Sequence, residues 1–260
     1  MADSAHTPRA STIDPAEVER FSRIADEWWD PTGKFAPLHR LNPVRLGYIR
    51  DRASGHWQRD ALSGTPLQGL SLLDIGCGGG LICEPMARLG ARVTGLDAAE
   101  RNIATASAHA DGQDLAIDYR AATAESLAGS GAQFDIVLAL EIVEHVSDVE
   151  LFLECCGRLV KPGGLLFLST LNRTAKAWAF AIAGAEYVLR WLPRGTHDWR
   201  KFLKPSEVVR SLGAGGIEAR EIVGVVYNPL SRAWSLSRND LDVNYMLYGS
   251  NPGAGARPAG

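Results

Sequence analysis

From Leu70 onward, short apolar runs alternate with segments of mixed polarity, and the runs fall near residues 71–75, 92–97, 116–120, 134–140 and 164–170. Runs of this length rich in Leu, Ile and Val read as strands buried on both faces, with helices between them. The alternation predicts an α/β fold with a doubly wound, mostly parallel sheet, whose ligands bind outside the carboxyl ends of the strands. Lys161-Pro162-Gly163-Gly164 reads as a turn leading into the fifth strand, and runs at 217–227 and 243–247 predict two strands that pair as an antiparallel edge.

Upstream, Asp14-Pro15-Ala16-Glu17 carries an N-cap, a first-turn proline and a capping-box glutamate. Val18, Phe21, Ile24 or Ala25, and Trp28 then recur at helical spacing, which makes Phe21 and Trp28 packing residues, and Asp30-Pro31-Thr32-Gly33 ends the helix. Residues 35–45 are polar and proline-punctuated, the character of a loop that covers a pocket, with a second helix from Pro43 to about Arg52. The expected organisation is a disordered stretch at 1–13, one domain over 14–248 with a helical cap at 14–60, an insertion at 172–204, and a flexible Gly/Pro-rich tail at 249–260.

With 46% apolar residues, 260 positions suffice for a substantial core. The net charge of −3 argues against nucleic acid held by bulk electrostatics. Cys77, Cys83, Cys155 and Cys156 have neither metal-site nor disulfide-scaffold spacing, so reduced thiols in a cytoplasmic compartment are expected. No signal peptide and no apolar run of about 18 residues is evident.

The most specific chemistry begins at Asp74-Ile75-Gly76-Cys77-Gly78-Gly79-Gly80, a glycine-rich turn after the first strand, with Asp97 closing the second. Glycines admit a ligand close to the backbone, and a carboxylate about 20 residues on can accept from ribose hydroxyls. The third glycine comes one residue earlier than a nicotinamide dinucleotide fingerprint requires. Asp74, whose charge would repel a phosphate, suits a cation. D-x-G-x-G-x-G resembles motif I of the class I S-adenosylmethionine-dependent methyltransferases. Glu125 and Glu141 join Asp74 and Asp97 at strand ends, where a cofactor would lie.

After the fourth strand comes Glu141-Ile142-Val143-Glu144-His145. On a helical turn residue 141 shares a face with 144 and 145, so two carboxylates and an imidazole could converge on a divalent cation, Mg²⁺ or Mn²⁺ by ligand type and Zn²⁺ through the imidazole. Equally, the carboxylates are solvated and His145 orients substrate or acts as a base. Residues 172–204 carry seven cations against two carboxylates, net +5, together with six aromatic residues that include Trp178 and Trp191. This pattern suits contact with an anionic membrane surface, with Trp178, Arg190, Trp191 and Arg194 at the lipid and at the substrate entrance. An amphipathic lid packed on the sheet is the other reading.

Longer blocks then narrow the resemblance: Trp28-Trp29-Asp30, residues 35–49, Ser169-Thr170-Leu171-Asn172-Arg173-Thr174, Gly184-Ala185-Glu186-Tyr187, Gly195-Thr196-His197-Asp198, Tyr227-Asn228-Pro229 and Asp242-Val243-Asn244-Tyr245-Met246. Over nearly its whole length the chain resembles the ubiquinone-biosynthesis O-methyltransferases. The resemblance implies a class I methyltransferase of Rossmann-like fold that serves both O-methylations of polyprenylated hydroxyphenols and catechols. It implies S-adenosylmethionine bound around Arg45, Gly76, Asp97 and Leu140, while the glycine turn and the strand ends place Asp74, Gly78 and Glu125 beside it. It further implies Mg²⁺ at Glu141, Glu144 and His145, peripheral attachment to the inner face of the cell membrane, and other ubiquinone-biosynthesis proteins as partners. A methyltransferase for a small soluble phenol is the alternative, and a noncatalytic scaffold has little support.

Overall fold

Leu72 and Leu73, fully buried, lie in β1 (Ser71–Ile75), which pairs in parallel with β2 (Arg92–Asp97) on one side and β4 (Phe134–Leu140) on the other. The structure, a computed structural model, describes residues 11–179, 199–231 and 233–253. β3 (Asp118–Ala121) lies outside β2 and β5 (Val160–Leu171) outside β4, both parallel. Three antiparallel strands, β6 (Glu218–Asn228), β7 (Ala233–Ser237) and β8 (Asn244–Ser250), complete an eight-stranded sheet in the order β3-β2-β1-β4-β5-β8-β6-β7.

Helices cover both faces because the central strands β1, β4 and β5 are apolar in both directions. Met86 of α3 (Cys83–Arg88) and Leu41 and Ile49 of α2 (Ala36–His56) pack on one face, flanked by α4 (Glu100–Asp111). The other face packs on Leu127 of α5 (Ala124–Gly129), Phe152 and Leu153 of α6 (Val149–Arg158) and, after a single turn at Ala175–Ala177 (α7), Val208 and Leu212 of α8 (Pro205–Ala214). Strand order reverses between β1 and β4, the switch point at which such sheets open a crevice.

Several local expectations change. The stretch 35–45 is not a loop: α2 begins at Ala36, with Pro37 in the first turn, where its missing N–H matters little, and Pro43 inside the helix. Burial of Leu41, Arg45, Tyr48 and Ile49 offsets the one backbone hydrogen bond lost at Pro43. The first helix, α1 (Pro15–Arg23), ends before Trp28 and gives way to a 3₁₀ turn at Ala25–Glu27. Lys161-Pro162-Gly163-Gly164 lies within β5 as an irregularity: Phe134 pairs with Val160 but Ile136 with Leu165, and Gly163 takes a φ of +76°. The two expected C-terminal strands do pair, but β8 is interior, β7 forms the edge, and residues 249–250 belong to β8 rather than to a tail. Thr12 is buried and bonded, within the stretch expected to be disordered.

Candidate active site

Where β1, β2 and β4 end, the chain encloses a cavity of about 520 Å³. Its wall holds every residue expected at the cofactor and reaction centre: Arg45, Asp74, Gly76, Gly78, Asp97, Glu125, Leu140, Glu141, Glu144 and His145. The glycine turn takes left-handed backbone at Gly76 (φ +74°) and Gly78 (φ +54°). A Cβ at Gly78 would lie 2.4 Å from the Trp28 ring, so the requirement for glycine is steric as well as conformational. The Gly78 N–H donates to Asp97 Oδ2 at 2.9 Å, and Asp97 Oδ1 accepts from Ala99 N–H at 2.8 Å and from the Asn102 amide at 3.2 Å. Burial pushes the Asp97 carboxyl up, and these hydrogen bonds pull it down.

Asp74 is buried and accepts from the Cys83 thiol at 3.3 Å; burial raises its pKa from 3.8 to about 7, against the lowering effects of Cys83 and the Arg45 guanidinium. Arg45, also buried, donates to Asn42, and its Nε has no partner. Glu125 accepts from the Thr12 N–H through Oε1 and leaves Oε2 unpartnered, as Asn244 leaves Oδ1. Three orphaned polar atoms on one cavity wall fit a ligand that brings both acceptors and donors, as an amino-acid group with a nucleoside does.

Glu141 sits at φ +53°, outside the 3₁₀ turn Val143–His145. The shared helical face expected for residues 141, 144 and 145 therefore does not form. Glu141 accepts from Ser169 Oγ at 2.7 Å and from the Asn244 amide at 3.3 Å, while Glu144 accepts from Thr170 Oγ1 at 2.8 Å. Burial, with Glu141 adding to it, pushes the Glu144 carboxyl up. Among the described residues no three His, Cys, Asp or Glu side chains converge closely enough to hold one ion, so these three, as placed, do not fit a shared metal.

The N-terminal segment supplies residues that pattern reading assigned elsewhere. Glu17 does not close a capping box: Asp14 caps α1 alone, accepting from Ala16 N–H at 3.0 Å. The Glu17 carboxylate instead lies 3.2 Å from His145 Nδ1, 2.8 Å from Arg20 and 3.7 Å from Lys201. Trp28 lines the cavity, stacks on Phe35 with centroids 3.7 Å apart, and donates to Asn102 at 3.0 Å, which links it through Asn102 to Asp97. The matching block at Trp28-Trp29-Asp30 hinted at the role of Trp28, whereas nothing in the chain alone pointed Glu17 towards His145. Trp178 is 52% exposed, whereas Arg190, Trp191 and Arg194 lie outside the described residues. Among the described residues no helix is long and apolar enough to cross a membrane.

Sheet order, glycine turn and acidic strand ends define a class I S-adenosylmethionine-dependent methyltransferase, and residues 73–168 match the family model described as a methyltransferase domain. Solved structures of similar fold include a magnesium protoporphyrin IX methyltransferase from Synechocystis with bound S-adenosylhomocysteine (TM-score 0.57, 20% identity, 90% of this chain and 94% of that one). A SAM-dependent methyltransferase from Thermotoga maritima is also similar (TM-score 0.59, 18% identity, 90% and 99%). The chain is 57% identical over 252 residues to a ubiquinone biosynthesis O-methyltransferase of Sinorhizobium medicae, covering 97% of this chain and 100% of that one. It is 58% identical over 242 residues to one of Rhizobium etli, covering 93% and 97%. The chain belongs to the ubiquinone biosynthesis O-methyltransferase family and is an S-adenosylmethionine-dependent O-methyltransferase.

Proposed function

We propose that the enzyme methylates phenolic oxygens of polyprenylated hydroxyphenols and catechols at the membrane surface, in both O-methylation steps of ubiquinone biosynthesis. The observation that carries this reading is the continuous cavity that joins the glycine turn and Asp97 to Glu141, Glu144 and His145. S-adenosylmethionine, when bound, supplies a methyl group made electrophilic by its sulfonium. Asp97 would hold the ribose, the unpartnered Arg45 Nε would meet a carboxylate, and Leu140 would pack beneath. A neutral phenol, with a pKa near 10, is a poor nucleophile at neutral pH, so a base must take its proton as the methyl transfers. His145 is suited to be that base, because Glu17 approaches Nδ1 and so leaves Nε2 for the phenolic proton.

A Mg²⁺ ion shared by Glu141, Glu144 and His145 would require them to leave their present partners, and no step is derived through one. Peripheral attachment to the cytoplasmic face of the membrane rests on the +5 charge and six aromatics of residues 172–204. The deciding experiment compares methyl transfer to a prenylated catechol and to the same catechol without its chain. Preference for the prenylated compound supports this reading, and preference for the bare catechol would favour a small soluble phenol as substrate.

A further inference from the structure

We infer that the sheet surface between α2 and the β6–β7 hairpin is a binding groove for the apolar isoprenoid chain of the substrate. This rests on the preceding proposal that the substrate carries one. Sheet register puts Leu171, Asn244, Val225 and Leu236 side by side across β5, β8, β6 and β7. Asn244 donates to Glu141, so this row starts at the reaction centre. Beyond Asn244 the cavity wall turns apolar, with Val225, Tyr227 and Trp234 on the strands facing Leu38 and Leu41 of α2.

Tyr227 and Trp234 are register partners with ring centroids 5.2 Å apart, a broad aromatic surface of the kind that buries large apolar area. At a strand spacing of about 4.8 Å, the row from β8 to β7 extends about 10 Å away from Asn244. Its outer end is also apolar: Pro229 lines the cavity, and the neighbouring Leu230 is 95% exposed. At this rim the Lys176 ammonium is held between two carboxylates, Asp240 at 2.9 Å and Asp242 at 3.2 Å, so the group keeps an excess of negative charge. A continuous path from the carboxylates to an exposed leucine matches a molecule with a polar reacting head and an uncharged chain. An anionic extension would meet the excess negative charge of this rim.

The test uses the full chain, wild type and the variants Trp234→Ala, Tyr227→Ala and Trp234→Phe. Methylation of a farnesylated catechol and of the bare catechol gives a preference ratio in kcat/KM, and calorimetry with farnesol measures chain binding alone. Both alanine variants should lower the ratio at least tenfold through KM of the farnesylated compound and should weaken farnesol binding, whereas Trp234→Phe should retain both. Unchanged S-adenosylhomocysteine affinity verifies the fold. An unchanged ratio, an equal loss on both substrates, or wild-type protein that shows no preference would overturn the groove. A straight-chain alcohol that binds as tightly as farnesol would overturn the isoprenoid assignment. Farnesol binding that is lost in Trp234→Ala, in a protein that methylates neither catechol, would uphold the groove and reject the proposed substrate instead.

Discussion

Glu17, on the first helix, lies 3.2 Å from Nδ1 of His145, at the far end of the fourth strand's loop, and Phe21 meets the same imidazole edge-on at 5.2 Å. A residue of the N-terminal cap is thus placed where it could orient the proposed base. Glu17→Ala should lower kcat by about 10- to 100-fold, the scale of misplacing a catalytic group, with KM for S-adenosylmethionine nearly unchanged. Glu17→Gln, which can still bond the ring, should recover part of the loss. Steady-state kinetics in both substrates check this, and equal losses in the two variants would assign Glu17 to charge rather than orientation.

Asp97 is fixed by three donors, which would hold its remaining lone pairs in place for the ribose hydroxyls proposed to bind there. Asp97→Ala should weaken S-adenosylhomocysteine binding by about 1–3 kcal/mol. Calorimetry reads this directly. Unchanged affinity in a folded variant would remove Asp97 from the cofactor site.

Asp74, if it lies beside the bound cofactor as proposed, should make cofactor binding depend on pH. Burial lifts its folded-state pKa from 3.8 to about 7, so its contribution to stability is full below 3.8 and is lost as pH rises toward 7. A cation beside Asp74 favours the carboxylate, so binding S-adenosylmethionine should release up to about one proton and tighten between about pH 6 and 8. Arg45, Asp97 and Cys83 also act on this carboxyl. Asp74→Asn should flatten the dependence, as calorimetry in buffers of different ionisation enthalpy would reveal.

The magnesium site expected from E-x-x-E-H makes a clear demand on an arrangement in which Ser169 and Thr170 now hold the carboxylates. If Glu141, Glu144 and His145 gather around an ion, exhaustive chelation suppresses turnover and Mg²⁺ restores it. Full turnover, with no metal by elemental analysis, leaves His145 acting alone.

Membrane attachment through residues 172–204 predicts binding to anionic liposomes that weakens as salt rises. Each cation near the surface contributes about 1 kcal/mol at most, so charge reversal at Arg190 and Arg194 should release the protein. Sedimentation with vesicles measures it, and no binding by the unaltered chain would make this segment a lid instead.

Local and periodic features were legible in the chain alone. Apolar runs long enough to be buried on two faces made strands of residues 71–75 and 134–140, and the glycines at 76 and 78 with Asp97 defined a cofactor turn, because neighbouring residues dictate those geometries. Features that depend on distant partners emerged only from the packed molecule. Pro37 and Pro43 read as a loop, yet burial of Leu41, Tyr48 and Ile49 against the sheet makes that stretch a helix. Glu17 read as a cap, but His145, 128 positions away along the chain, takes its carboxylate. The three donors at 141–145 share a face only on a helical turn. Backbone pairing of Glu141 with Ser169 and its left-handed φ separate them, because strand five, not their own spacing, positions them.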